Sequence, residues 1–99
     1  INTYPRKIYF GSVVKGTEMS QRLYVKVNKS DIEIVRIKTF PDYINARIVE
    51  KKESEKPHYL IEVTLHSEAV TGNIGGVLEL HTNSKTQPVT LVRIIGEIE

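Results

Sequence analysis

Apolar positions recur with period two along most of this chain. In "MSQRLYVKV" Met19, Gln21, Leu23, Val25 and Val27 fall on one side and Ser20, Arg22, Tyr24 and Lys26 on the other. "YINARIVE" sets Ile44, Ala46 and Ile48 against Asn45, Arg47 and Val49, and "HYLIEVTLH" sets Tyr59, Ile61, Val63 and Leu65 against Leu60, Glu62 and Thr64. "IGGVLELHT" aligns Ile74, Gly76, Leu78 and Leu80. This alternation is the signature of strands with one buried face. Two stretches depart from it. "DIEIVRIK" carries Ile32, Ile34 and Ile37, with Val35 out of phase, and "PVTLVRIIGEI" is apolar nearly throughout, as in a central strand covered on both sides.

No segment holds helical spacing over three turns. The best candidate, Ser30 to Lys38, is rich in β-branched residues and meets Pro41 soon after. Turn residues separate the apolar runs at "VNKSD", "FPD", "KKESEKP", "TGNIGG" and "TNSKTQP". Six or seven short strands at this spacing predict an all-β sandwich, each strand giving one apolar face to the core. The 99 residues form one domain, long enough for a single small core. The first residue is Ile1, which reads as a domain excised from a larger protein.

Charge and composition narrow the functions. The net charge of +2, with both signs spread along the chain, lacks the basic footprint of a nucleic-acid binder. No apolar run reaches the roughly 18 residues of a membrane span, so direct membrane insertion is not expected. With no cysteine there is no disulfide, thiolate nucleophile or thiolate metal site. The compartment stays open on these grounds.

"GSVVKGTE" has the glycine spacing of a phosphate-binding loop. However, Thr17 and Glu18 stand where that loop needs lysine and a hydroxyl residue, Lys15 precedes Gly16, and a strand follows instead of a helix. The alternative is a bend: Gly11 kinks the first strand where it changes sheet, and Gly16 makes the turn into the next. His58 and His66 end one strand, about 26 Å apart at 3.3 Å per residue, and cannot share a metal. His66 and His81 could meet only if their strand ends are neighbours. Strand-end surface histidines are expected, with no metal and no cofactor. None of Ser12, Ser20, Ser30, Ser54, Ser67 and Ser84 lies in a nucleophile elbow. Glu50, Glu53 and Glu55 alternate with lysines in a solvated hairpin tip, which is no acid–base pair. "NKS" at Asn28 fits a glycosylation sequon but reads better as a turn, as does "HTNS" at 81–84. No catalytic residue emerges, and the chain is not expected to be an enzyme. Phe10 and Tyr59 belong to the core, whereas Tyr24, Tyr43 and Arg47 are the candidates for an interaction surface.

Taken together, "IYFGSVVKGTEMSQRLYVKVNKS" resembles the opening of the ASH (Hydin-like) domains and their bacterial relatives of unknown function. The matching residues are Phe10, Gly11, Val13, Gly16, Thr17 and Asn28. "IGGVLELHTN" and "PVTLVRIIGEIE" resemble the closing strand pair of that family, with Ile95, Gly96 and Ile98 as its marks. The resemblance implies a seven-stranded antiparallel immunoglobulin-like sandwich of the major-sperm-protein and PapD-like kind. Many bacterial members carry a cysteine-rich turn where this chain has Thr39, Phe40, Pro41 and Asp42. Any redox or metal role tied to that turn is therefore lost.

The resemblance also implies a non-catalytic interaction or spacer module, whose partners are another protein or neighbouring domains of its own chain, with an extracytoplasmic setting, periplasm or cell surface, preferred. Strand addition along the edge near Ile44–Glu50 is one expected mode, although Lys51 and Lys52 can equally guard that edge. A carbohydrate- or small-molecule-binding module is the alternative. It would need a concave surface with two or three exposed aromatics, for which the sequence offers only Tyr24 and Tyr43.

Overall fold

The alternating runs become eight strands and no helix in the computed structural model, which describes residues 1–27, 29, 31–53, 56–66 and 71–99. In chain order they are β1 (Asn2–Tyr4), β2 (Lys7–Val13), β3 (Glu18–Lys26), β4 (Ile34–Phe40), β5 (Ile44–Lys52), β6 (His58–His66), β7 (Gly72–Thr82) and β8 (Val89–Ile98). They build two four-stranded sheets, β1-β3-β6-β5 and β2-β8-β7-β4. Asn28 and Ser30 of the sequon, Ser54 and Glu55 of the charged tip, and Ser67 lie outside the described residues.

The inner faces follow the sequence pattern closely. Leu23 and Val25 of β3 and Ile61, Val63 and Leu65 of β6 meet Leu78 and Leu80 of β7 and Val92 and Ile94 of β8, all fully buried. Burying each such side chain contributes about 1.5–3 kcal/mol, and this shared layer holds the sheets together. Tyr59 fastens them further: its ring is in the core, and its hydroxyl accepts the Ile34 N–H from the other sheet at 3.3 Å. Asn83 pins the approach to β4, its amide oxygen accepting from Glu33 N–H at 2.8 Å and its nitrogen donating to Asp31 O at 2.9 Å. The asparagine expected to shape its own turn instead ties together segments fifty residues apart.

Seven strands become eight because the first is divided between the sheets. β1 pairs antiparallel with β3, and the chain crosses at Pro5 and Arg6 to lie parallel to β8 as β2. One pairing is therefore parallel, where an all-antiparallel sandwich was expected. The sheet change does not occur at Gly11. That residue sits inside β2 at φ +70°, where the register against β8 shifts between Tyr9 and Ser12. It is the extra residue of a bulge, in a conformation that glycine adopts without steric cost. Gly16, at φ +90°, occupies the third position of the turn closed by Thr17 N–H to Val14 O at 3.1 Å, as expected for the entry to β3.

Bulges also explain the irregular stretches. Between Ile34 and Arg36 the register of β4 slips by one, so Ile34 and Ile37 both face the core while Val35 is exposed. A second slip at Val49 of β5 leaves Ile48 partly exposed instead of buried. β8 is central in its sheet but is covered on one side only: Val92, Ile94 and Ile98 are buried, whereas Leu91 and Ile95 face outward. Its continuous apolarity thus places hydrophobic side chains on the molecular surface.

Candidate functional surfaces

The two sheets present different outer faces. On β1-β3-β6-β5, register partners stand in rows. Tyr4, Tyr24, Leu60 and Glu50 form one row; Arg22, Glu62 and Arg47 form the next; Ser20, Thr64 and Asn45 follow. This face carries Tyr24 and Arg47, two of the three candidates from the sequence, on strands separated by β6. Arg47 is already engaged, its guanidinium donating to Glu62 at 3.2 and 3.3 Å. Ser20 and Thr64 share a hydroxyl hydrogen bond at 3.0 Å. Tyr43 is not with them. It lies between β4 and β5, half-buried against the core, and its carbonyl accepts from His66 N–H at 2.8 Å.

At the end of β5, Lys51 reaches Glu33 at 3.6 Å and Glu53 at 3.7 Å, and its ammonium stands 5.6 Å from the centre of the Tyr59 ring. Tyr59 above all, and more weakly these two carboxylates, raise the Lys51 pKa above its ordinary value, with desolvation opposing them. Lys52 pairs with Glu50 at 3.8 Å. The β5 edge is thus bulged at its centre and charged at its end, both of which oppose pairing with another chain.

The second outer face, on β2-β8-β7-β4, was not singled out by the sequence pattern. Tyr9, Ile95 and Gly75 are register partners across three strands, and Lys7, Arg93, Val77 and Phe40 are partners across four. Tyr9 and Phe40 are each more than two-thirds exposed, and Leu91 is 62% exposed. A shallow groove of about 490 Å³ lies on this face, lined by Phe40, Gly75, Val77, Arg93 and Ile95. A Cβ built on Gly75 meets nothing within 4 Å, and its φ is not positive, so the fold does not demand glycine there. Gly76 differs: its Cβ would lie 2.6 Å from Ile44 Cδ1 and 2.8 Å from Phe40 O. Among the described residues Lys7, Arg36, Lys38 and Arg93 of this face make no ion pair, while Glu79 is held by His81 at 3.0 Å.

The histidines do not converge. His66 Nδ1 lies 3.3 Å from a Glu18 carboxylate oxygen, and its Nε2 is hydrogen-bonded to the Asn45 amide nitrogen at 2.8 Å. By the strand registers, His66 and His81 lie on different sheets and at opposite ends of the sandwich. Among the described residues no three His, Asp or Glu side chains are grouped so as to hold a metal ion. No described helix is long and apolar enough to cross a membrane. No protein-family model and no curated protein matches this chain.

Proposed function

We propose that the chain is an immunoglobulin-like, non-catalytic module that docks another protein on the outer face of β2-β8-β7-β4. The observation carrying this reading is the apolar belt of Tyr9, Ile95, Val77 and Phe40 around the open position at Gly75. An apolar patch crossing a whole sheet exceeds the scattered exposed hydrophobics of an ordinary surface and marks a contact site. Lys7 and Arg93 border it without ion-pair partners. The favoured occupant is a different protein with carboxylates around an apolar centre, which would pair the cations of this face.

The topology supports the immunoglobulin-like part of the reading. If β1 and β2 are counted as one divided strand, the first, second, fifth and fourth strands form one sheet, and the third, sixth and seventh form the other, as in constant-type immunoglobulin domains. The resemblance of Phe10-Gly11 and Thr82-Asn83 to the ASH and major-sperm-protein-like families points the same way. Ile1 and Glu99 lie at opposite ends of a sandwich 43 Å long, so domains attached at the two ends would be strung in series.

The test compares the wild-type chain with Phe40→Ser and Ile95→Ser in crosslinking from photoreactive residues placed at Val77 and, as a control on the opposite face, at Arg22. A discrete adduct from position 77 that disappears in both folded variants is the expected result. Equal adducts from both faces, or adducts indifferent to the substitutions, would overturn the assignment.

A further inference from the structure

The opposite face holds a second arrangement that does not depend on the docking reading above. Tyr4 and Tyr24 face each other in register on β1 and β3, each 57% exposed, and neither packs against the core. Leu60, the next partner in that row, also points outward but is only 9% exposed. It lies in a groove of about 320 Å³ lined also by Tyr24, Glu50, Lys52 and His58. This volume is at the small end of ligand pockets, and its make-up, an apolar floor with a few convergent polar groups, is what such pockets need.

The chemistry selects the ligand. An exposed phenol ring and a leucine offer flat apolar contact. Glu50 and Lys52, paired at 3.8 Å, cancel in charge but supply acceptors and donors together, and His58 adds a ring nitrogen of either kind. A ring with an apolar C–H face and hydroxyls at its rim satisfies both halves, since each hydroxyl both donates and accepts. Neighbouring strands are about 4.8 Å apart, so Tyr4, Tyr24 and Leu60 form a row with that period, comparable to the ring spacing of an extended β-linked hexopyranose chain. We propose that this groove binds a neutral β-linked oligosaccharide. One ring stacks on Tyr24 above Leu60 with its hydroxyls shared among Glu50, Lys52 and His58, and the next ring rests on Tyr4. The tyrosine pair supplies the aromatic platform that Tyr24 and Tyr43 could not form.

Titration of the isotope-labelled chain with cellotetraose, followed by amide and aromatic NMR signals, tests the proposal. Saturable shifts are expected at Tyr4, Tyr24, Leu60 and His58. Tyr24→Ala weakens binding about tenfold, the loss of one stacked ring, while Tyr24→Phe retains most of it. Phe40→Ser, on the other sheet, leaves sugar binding unchanged, so failure here is separable from failure of the protein-docking face. Absence of shifts at millimolar cellotetraose overturns the proposal. So does undiminished binding by folded Tyr24→Ala and Tyr4→Ala variants, or a response to oligogalacturonate with none to cellotetraose.

Discussion

Gly75 and Gly76 are neighbours on β7 with opposite demands. The Cβ of an alanine at 76 would press into Ile44 and the carbonyl of Phe40, and that carbonyl is backbone that cannot swing aside. Gly76→Ala should therefore destabilise the domain by about 1–3 kcal/mol, the usual range for overpacking. Gly75→Ala meets open space and removes glycine's unfolded-state entropy, so it should be neutral or stabilising by up to about 1 kcal/mol. Urea melts of the two variants at equal protein concentration provide the comparison. Equal midpoints would remove the distinction on which the open position in the docking face rests. Gly11 is a third case. Its φ of +70° strains any β-branched replacement, and Gly11→Val should cost about 1–2 kcal/mol while loosening the β2–β8 pairing.

At the level of strands, β5 shows how an edge is kept unpaired. Val49 is the extra residue opposite the Ile61–Leu60 step of β6, and Lys51 and Lys52 charge the end of the strand. Deleting Val49 would let Ile48 and Glu50 continue the ladder without a bulge and straighten the free edge. The expected result is concentration-dependent self-association in sedimentation velocity, with strand content by circular dichroism unchanged. A deletion variant that stays monomeric would assign the guarding to the lysines alone.

The same strands show which features the sequence made legible. Alternation in β3 and β6 identified their buried faces because both strands are regular and one-sided. The bulge at Val35 showed in the sequence as a break in the alternation, whereas the one at Val49 was hidden, since an unpaired β-branched residue is locally indistinguishable from a paired one. The break at Pro5 was missed because sheet membership depends on long-range pairing with β3 and β8. The outward position of Tyr24 was legible for the same reason as its strand. That Tyr4 stands opposite it was not, because this depends on the pairing of a three-residue edge strand.

For the molecule as a whole, the decisive contrast is within the pair Ile94-Ile95. Both are isoleucines on the central strand β8, and in sequence they looked equivalent. Ile94 is fully buried between the sheets, whereas Ile95 is 38% exposed beside Tyr9 and Gly75. A sandwich needs only one layer of apolar side chains between its sheets, so the outward layer is not explained by the fold. Ile94→Ser removes a buried side chain and places a hydroxyl in the core layer, in the row of its register partner Ile8, at a cost of about 3–5 kcal/mol. That is a large share of the 5–15 kcal/mol typical of a small domain. Ile95→Ser, combined with Phe40→Ser, should lower the unfolding free energy by little more than about 0.5 kcal/mol per site. If the double surface variant instead loses stability comparable to Ile94→Ser, the outer layer is a structural part of the sandwich and cannot be a docking face. A small loss, with the crosslink from position 77 abolished, separates the residues that hold the fold from those that serve a partner.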